Sequence, residues 1–241
     1  MHDQCSKKDE NRVTHIAFFY DKEHLPVIYR KFVKRLLDIL LSLIALPFFG
    51  ILCLVLVPAI LLQDGRPVFY ISPRLGKNGK VFQMFKFRSM LNNAPDIRLE
   101  DGSTYNAEDD PRVTPLGRLL RKTSLDEIPQ ILNVLRGDMS FVGPRPDLPG
   151  QRELYDQEDI KKLDVLPGIT GYSQAFFRNS IEWKERLKLD VYYAEHVSFI
   201  LDIKIMYQTF ATVLTRKNIY VKPQQNAEQP EQNQNAGKGY K

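Results

Sequence analysis

Two adjacent acidic residues, Asp126 and Glu127, precede an arginine that lies between two prolines, Pro144-Arg145-Pro146. A carboxylate can attack phosphorus and form an acyl phosphate. A guanidinium presents a planar fork that contacts two phosphate oxygens at once, and the flanking prolines restrict the backbone that carries it. The segment therefore predicts phosphate chemistry, with a carboxylate as nucleophile and Arg145 as a phosphate contact. The alternative for Arg145 is a surface arginine in a rigid turn.

The acidic pair also has a purely structural interpretation. Ser124 and Glu127 have the spacing of a capping box, in which the serine caps a helix and the glutamate returns the hydrogen bond. Pro129 argues against that start, because it would fall beyond the first turn, whereas a helix that begins at Asp126 accommodates it. Both alternatives place the pair at a helix N-terminus, where exposed amides and the dipole favour an ionised carboxylate and attract phosphate.

A predicted β-hairpin carries two further cations. Residues 68–71 and 81–87 are rich in β-branched and aromatic side chains, and the Asn-Gly pair between them is a strong turn signal. Lys86 and Arg88 are two residues apart, which places both on one face of an extended strand. We predict that they contact the substrate phosphate; the alternative is a strand whose cationic end is simply solvated.

The longest apolar segment, residues 39–62, contains no charged residue and is long enough to enter a membrane. It starts too far into the chain, and is too long, for a secretory signal. Cationic residues flank both of its ends, and positive charge favours the cytoplasmic side of a membrane. A break at Pro47 would keep both flanks on that side, so the segment predicts a re-entrant helix-break-helix. A kinked helix that spans the membrane is the alternative.

Composition and patterning narrow the choice of partners. The 241-residue chain has a formal net charge of +5, which suits either nucleic acid or anionic lipid. The apolar segment favours lipid, and the sequence contains no nucleic-acid motif, so we expect membrane lipid and no nucleic acid. Leucines alternate with cations over residues 115–122, and apolar residues recur at helical spacing over residues 199–214. Each pattern is typical of a helix in the headgroup layer or of one packed on a core.

The expected architecture is α/β, mostly helical with a small β-hairpin and with interfacial amphipathic helices. Cys5 and Cys53 are far apart and fit neither a disulfide framework nor a zinc site, which agrees with a reducing cytoplasm. The predicted parts are an N-terminal lead of unassigned role (residues 1–28), the membrane segment (29–64), a cytosolic catalytic domain (65–221) and a disordered tail (222–241) that has almost no apolar residues.

Together with KFRSM at residues 86–90 and PGITG at residues 167–171, these features resemble the small monotopic phosphoglycosyl transferases, bacterial sugar transferases that act on polyprenol phosphate. The resemblance covers residues 29–220. It implies transfer of a sugar 1-phosphate from a UDP-sugar to polyprenol (undecaprenyl) phosphate with release of UMP, which initiates cell-surface glycan assembly. It also implies a place in the bacterial inner membrane, a catalytic domain that faces the cytoplasm, and downstream glycosyl transferases as partners.

The resemblance assigns a role to each candidate residue. Asp126 is the nucleophile that forms a covalent phosphosugar intermediate, and Glu127 assists as a base or orienting group. Lys86, Arg88 and Arg145 bind substrate phosphates. Because the attacking carboxylate and the phosphate are both anions, the reaction calls for Mg²⁺, for which Asp126 is the expected ligand.

The region after PGITG departs from the family pattern. Many members read GITGWAQVNGRN, where this chain reads GITGYSQAFFRN. Gln174, Arg178 and Asn179 are retained, and we expect them to bind the nucleotide-sugar. The changed positions between them leave the reaction class intact but put the identity of the sugar in question.

Two other functions fit the sequence. A catalytically silent, membrane-anchored module could bind a nucleotide-sugar or organise partner enzymes of the same pathway. A glycosyl transferase that moves only the sugar would release UDP instead of UMP. The nucleotide product therefore distinguishes all three functions.

Overall fold

The structure is a computed structural model that describes residues 28–95, 97, 105, 107, 109–178 and 180–215. The predicted lead, apart from residue 28, and the predicted tail lie outside these residues. The helices are α1 (Lys34–Asp64), α2 (Pro115–Thr123), α3 (Ile131–Arg136), α4 (Tyr172–Phe176), α5 (Trp183–Glu195) and α6 (Phe199–Thr215). The strands are β1 (Phe69–Leu75), β2 (Val81–Phe87), β3 (Ser140–Val142) and β4 (Gly168–Thr170). Short 3₁₀ helices (Lys77–Gly79, Leu125–Gln130, Pro149–Leu154, Asp159–Asp164) join them, and the prediction of a mostly helical chain with a small hairpin is confirmed.

The apolar segment forms one long helix, α1, which continues directly from a π-helical turn (Tyr29–Val33). Pro47 and Pro58 both lie inside α1, so the predicted break at Pro47 does not divide the segment into two helices. A proline removes one backbone donor, and the surrounding turns carry the helix past that gap. By length and composition the stretch Tyr29–Asp64 could cross a membrane. The re-entrant course stays a prediction.

The N-terminal part of α1 is fastened to the globular domain by charged side chains. Lys34 forms an ion pair with Asp202 of α6. Arg35 donates hydrogen bonds of 2.6 and 2.9 Å to two carbonyl oxygens at the end of α3. Asp38 accepts bonds of 3.0 Å from the Ser140 hydroxyl and from the next backbone N–H in β3. This end of the helix therefore cannot separate from the domain without breaking an ion pair and several hydrogen bonds.

The C-terminal part of α1 packs on the same domain through apolar side chains. Leu56 and Ile60 form a buried cluster with Phe87 of β2 and Leu120 of α2. Much of the remaining helix surface is apolar and exposed, as at Leu40, Ile44, Phe48, Ile51 and Leu54. Both ends of α1 therefore contact one domain, and no polar residue in the described part of the chain covers the apolar surface between them.

The predicted hairpin is confirmed, with β1 and β2 paired antiparallel. Its turn contains Asn78 and Gly79 at φ of 57° and 72°, a left-handed geometry that this pair of residues adopts at low cost. The register sets Tyr70 opposite Lys86 and, at the other end, Arg74 opposite a phenylalanine. Because side chains alternate along a strand, Tyr70, Arg74 and Lys86 share one face of the hairpin.

A second pair of strands, β3 and β4, runs parallel, and the sequence did not predict it because each strand has only 3 residues. Val142 of β3 packs with Tyr193 of α5 and with Leu201 and Ile205 of α6. This cluster is a major core of the described domain. It supports the two loops that follow β3 and β4.

The two amphipathic helices each divide their apolar residues between core and surface. In α2, Leu120 is buried, whereas Leu119 is exposed. In α6, Ile205 is buried, whereas Tyr207 and Phe210 are 74% and 66% exposed. The core interpretation therefore holds for one face of each helix, and the opposite faces stay candidates for the headgroup layer.

A buried lysine with two acidic partners lies between the β3 loop and α5. Lys162 approaches Asp147 at 2.6 Å and Asp190 at 3.1 Å. Burial alone would lower the pKa of Lys162, but the two carboxylates outweigh it and raise that pKa. The interior therefore contains a charged group whose charged form is stabilised by these two partners.

Replacing Lys162 with methionine would leave two buried carboxylates without their cation. We expect Lys162→Met to lower the free energy of unfolding by about 3 to 5 kcal/mol. Denaturant unfolding of the protein in detergent micelles, followed by the fluorescence of its single tryptophan, Trp183, measures this change. The neighbouring Lys161, whose ion pair with Glu158 lies at the surface, supplies the control Lys161→Met, which should unfold almost like the wild type. Equal losses in both variants would contradict the prediction.

Candidate active site

Asp126 and Glu127 lie in the first turn of the 3₁₀ helix Leu125–Gln130, at a helix N-terminus as predicted. The capping box, favoured on local grounds as the structural alternative, is wrong. Ser124 has a left-handed φ of 57° and its side chain makes no capping hydrogen bond. Ser124 instead forms the sharp turn that ends α2. The Glu127 carboxylate is not returned to Ser124, because a lysine of the hairpin binds it.

Glu127 is surrounded by cations from two other parts of the chain. Lys86 of β2 lies 2.6 Å from its carboxylate, and the Arg145 guanidinium lies 3.7 Å from the same oxygen. Burial alone would raise the pKa of Glu127, but Lys86 and Arg145 outweigh burial and lower this pKa to about 2. Glu127 therefore holds cations in place and takes up no proton near neutral pH.

Asp126 is buried and differs from its neighbour in protonation behaviour. Burial raises the pKa of Asp126 to about 6, which Glu127 reinforces and which Lys86 and Arg121 oppose. Asp126 is therefore ionised at neutral pH although it has lost most of its water. A carboxylate in this state, with cations beside it, suits attack on a phosphorus atom.

Arg145 is presented by a loop whose backbone is held on both sides. Pro144 and Pro146 are buried, and the Pro144 carbonyl accepts a hydrogen bond of 2.9 Å from Gly168. The Pro146 carbonyl accepts a bond of 3.5 Å from the Arg74 guanidinium. The Arg145 side chain is 44% exposed, so a phosphate from solvent can reach it.

The PGITG loop contacts the start of this loop backbone to backbone. A Cβ atom on Gly168 would overlap the Gly143 nitrogen, and one on Gly171 would overlap the Gly143 carbonyl oxygen. A Cβ on Gly143 would overlap the carbonyl oxygen of Leu166. Glycine alone permits this approach, because every other residue carries a Cβ. The glycines of both motifs therefore fix how the two loops lie against each other.

Arg178 follows α4 and faces the acidic pair from this second loop. Its φ of 49° is left-handed, and its backbone N–H donates a hydrogen bond of 3.1 Å to the Ser173 carbonyl. Burial lowers the pKa of the Arg178 guanidinium and the Glu127 carboxylate opposes that change, so the two charges interact. Arg145 lies near Glu127, and the charge of Arg178, in a separate loop, also acts on Glu127.

The other nucleotide-sugar candidates are Gln174 and Asn179. Gln174 donates a hydrogen bond of 3.3 Å to the Ile169 carbonyl. Its own carbonyl oxygen is buried and has no hydrogen-bond partner among the described residues. Asn179 lies outside the described residues. The nucleotide-sugar contacts of Gln174, Arg178 and Asn179 stay predictions.

Arg88 lies apart from the acidic pair. Its guanidinium donates hydrogen bonds to the carbonyl oxygens of Asp64, Gly65 and Arg66 at 2.9, 2.7 and 3.1 Å. Strand β2 ends at Phe87, so the alternation that would have set Arg88 beside Lys86 does not reach it. Arg88 binds the end of α1 instead, and its contact with a substrate phosphate stays a prediction.

Two cations that the sequence did not assign also act on the acidic pair. Arg74 helps to lower the pKa of Glu127, and Arg121 opposes the rise at Asp126. Arg74 shares the hairpin face of Lys86, so alternation along β1 could have identified it once the register was known. Arg121 was predicted only as part of an amphipathic helix, and it reaches Asp126 because the chain turns sharply after α2.

The acidic pair fits the requirements of Mg²⁺ only with substrate present. The described residues contain no group of three or more acidic, His or Cys side chains that could hold a metal ion. Mg²⁺ at phosphate-transfer sites commonly uses one or two carboxylates and takes its other ligands from substrate phosphates and water. Asp126 can supply such a carboxylate, whereas Glu127 is bound to Lys86. The Mg²⁺ contact of Asp126 stays a prediction.

Comparison with known proteins finds relatives that are named as sugar transferases. The chain is 41% identical over 210 residues to the galactosyl transferase CpsE of Streptococcus agalactiae, an alignment that covers 84% of this chain and 45% of that protein. It is 41% identical over 187 residues to the uncharacterized sugar transferase EpsL of Bacillus subtilis, which covers 78% of this chain and 90% of EpsL.

A third relative has a more specific name. The UDP-N-acetylgalactosamine-undecaprenyl-phosphate N-acetylgalactosaminephosphotransferase of Aeromonas hydrophila is 36% identical over 200 residues, which cover 79% of this chain and 46% of that protein. The chain thus spans less than half of the Streptococcus and Aeromonas proteins. The family model described as bacterial sugar transferase matches residues 29–216. The chain that carries this acidic pair therefore belongs to the bacterial sugar transferase family.

Proposed function

We propose that this chain transfers a sugar 1-phosphate from a UDP-sugar to undecaprenyl phosphate and releases UMP, the first step in building a cell-surface glycan. The observation that carries the proposal is the buried Asp126 beside a cation-bound Glu127, next to a long apolar helix. The name of the Aeromonas relative supports the substrates, because it contains a UDP-sugar and undecaprenyl phosphate. Moving the sugar together with its phosphate leaves UMP from the UDP-sugar.

The reaction proceeds in two displacements. An Asp126 carboxylate oxygen attacks the phosphorus bound to the sugar; a P–O bond to the Asp126 side chain forms and the P–O bond to UMP breaks. A phosphate oxygen of undecaprenyl phosphate then attacks the same phosphorus and releases the Asp126 carboxylate. The products are UMP and undecaprenyl diphosphate sugar. Both nucleophiles are already anionic, so neither displacement needs a general base.

The surrounding residues stabilise charge and hold geometry. Lys86 and Arg145 lie beside the acidic pair, where they would offset the negative charge that builds up on the phosphate oxygens. Glu127, with its pKa lowered to about 2, is a poor base, so we assign it the role of orienting Lys86 and Arg145. When bound at Asp126, Mg²⁺ would supply further charge neutralisation to the diphosphate.

We propose that the helix α1 enters and leaves the membrane on the cytoplasmic side. Its N-terminal part pairs with Asp202 and its C-terminal part packs on Phe87, so both ends contact one domain. A helix that crossed the bilayer would carry one end away from that domain. The exposed apolar surface between the two ends would lie in lipid. This arrangement places the acidic pair beside the membrane in which the lipid substrate is dissolved.

Cysteine accessibility tests this topology. In a chain with Cys5 and Cys53 replaced by serine, the single substitutions Lys8→Cys and Lys238→Cys place one probe at each end. We expect a membrane-impermeant thiol reagent to label neither probe in intact cells and both after permeabilisation. Labelling of Lys8→Cys alone from outside intact cells would establish a spanning helix and reject the re-entrant course.

The substitution Asp126→Asn tests the nucleophile. An amide keeps the shape of the side chain but is a far poorer nucleophile, so we expect turnover to fall by about 10³-fold or more. The unfolding midpoint should stay close to that of the wild type. UMP release from a panel of UDP-sugars in the presence of undecaprenyl phosphate and Mg²⁺ measures turnover. The exposed Asp164 supplies the control Asp164→Asn, which should retain activity. Near-normal turnover in Asp126→Asn would return the acidic pair to a structural role.

A burst of UMP without lipid acceptor tests the covalent intermediate. With UDP-sugar and Mg²⁺ alone, we expect about one equivalent of UMP per active site and then a near halt, because the phosphosugar stays on the enzyme. Peptide mass analysis should find the phosphosugar on Asp126. Direct transfer in one step predicts no UMP until acceptor is added. Release of UDP would indicate a glycosyl transferase, and no nucleotide release under any condition would indicate a silent binding module.

A further inference from the structure

Arg145 and Arg178 are in different loops, and contacts between these loops set the separation of the two arginines. Arg145 lies 3.7 Å from the Glu127 carboxylate in the loop after β3. Arg178 interacts with the same carboxylate from the segment after α4. Neither arginine belongs to a helix or a strand, so secondary structure does not set their separation.

A continuous chain of buried polar contacts runs between these two loops. Asp147, two residues after Arg145, accepts a hydrogen bond of 2.6 Å from Lys162. Lys162 also lies 3.1 Å from Asp190, and Asp190 accepts a bond of 2.7 Å from the Ser173 hydroxyl. All four side chains are buried.

The network of polar contacts continues into the backbone of Arg178. The Ser173 carbonyl accepts hydrogen bonds from Phe177 and from Arg178, at 3.0 and 3.1 Å. At the other end, the Asp147 carboxylate also accepts bonds from the Tyr155 hydroxyl at 2.6 Å and from Trp183 at 3.3 Å. Every link from the Arg145 loop to the Arg178 backbone is therefore a hydrogen bond or an ion pair.

Such a network is a costly way to stabilise a fold. It places two carboxylates and one ammonium group in the interior, and apolar residues of the same volume would often stabilise a domain equally well or better. What a fully satisfied network adds is a single, well-defined arrangement of the groups attached to it. Those groups are the two loops that carry Arg145 and Arg178.

We propose that the Asp147–Lys162–Asp190–Ser173 hydrogen-bond network positions Arg145 and Arg178, so that the two arginines together bind the diphosphate of a nucleoside diphosphate. The inference deepens the proposed function and rests on it. A diphosphate reaches both arginines at once and is sensitive to their separation. A monophosphate contacts only one arginine, so its binding does not depend on the separation of the two. Lys162 and Ser173 are positioning residues here, because they act through the arginines and do not touch the ligand.

The substitution Ser173→Ala removes the hydrogen bond between Ser173 and Asp190 from the network and changes neither arginine. The control is Ser140→Ala, which removes an equally buried serine hydroxyl from Asp38. Asp38 does not belong to the hydrogen-bond network described above. Both variants should lose similar stability, because each leaves a buried carboxylate with one bond fewer. Isothermal titration of the full-length protein in detergent with UDP and with UMP, in the presence of Mg²⁺, measures binding to the two arginines.

The Ser173 link is a feature of this chain, because the family pattern has alanine at that position. We expect Ser173→Ala to weaken UDP binding about tenfold and UMP binding less than twofold, because Asp190 here loses the hydroxyl that joins it to the Arg178 loop. Ser140→Ala should change neither affinity by more than about twofold. A milder variant, Tyr155→Phe, removes a hydroxyl donor from Asp147 while keeping the ring, and should weaken UDP binding about threefold with little effect on UMP. This second variant tests the positioning role even where Ser173→Ala does not fold.

Three results would overturn the positioning role alone: unchanged UDP affinity in Ser173→Ala, equal loss of UDP and UMP affinity in that variant, or the same selective loss in Ser140→Ala. In each of them the wild type still binds UDP. A wild-type protein that binds no UDP would overturn the proposed function together with this inference.

Discussion

The ion pair between Lys86 and Glu127 joins the hairpin to the 3₁₀ helix and sets the charge of the acidic pair. Without Lys86, two adjacent carboxylates would lie in a poorly hydrated place, and their repulsion would favour protonation of one of them. With it, Glu127 is held ionised, and Asp126 has a raised pKa that still lies below neutral pH. Two neighbouring acids thereby acquire different tasks from their surroundings, because one binds cations and the other is available to a phosphorus atom.

The apolar helix is part of the scaffold that positions this site. Arg35 binds the end of α3, the helix that continues from the acidic pair, and Asp38 binds β3, the strand that leads to Arg145. The two segments that carry Asp126 and Arg145 are therefore both fastened to α1. The globular domain without this helix would lose the Arg35 bonds to α3 and both Asp38 bonds to β3 at the same time.

Short-range signals in the sequence predicted the parts of the fold that depend on neighbouring residues. The hairpin follows from its Asn-Gly turn, and the place of Asp126 at a helix start follows from Ser124 and Pro129. The capping box failed because Lys86, 41 positions away in the chain, competes for the Glu127 carboxylate. Strands β3 and β4 were missed because a run of 3 residues carries too little pattern to detect.

Long-range contacts account for the differences between the predicted contacts of the site residues and those that the structure shows. Arg88 was grouped with Lys86 by alternation, yet its guanidinium binds the end of α1, whose position no local pattern reveals. Arg121 acts on Asp126 because the chain reverses at Ser124, a turn that the sequence presents as part of a cap. Which groups of the chain each cation contacts thus depends on the tertiary fold, which no local sequence pattern reveals.

The second loop shows which of its positions are constrained by geometry and which can vary. Gly168 and Gly171 touch the backbone at Gly143 so closely that any side chain would overlap it, and these glycines match the family pattern. Phe176, where this chain differs from that pattern, has a side chain that is 36% exposed. A change at such a position leaves the contact between the loops intact, because it does not pass through their backbones. The glycines of the second loop are therefore fixed by backbone contact, whereas a partly exposed position such as Phe176 is free of that constraint.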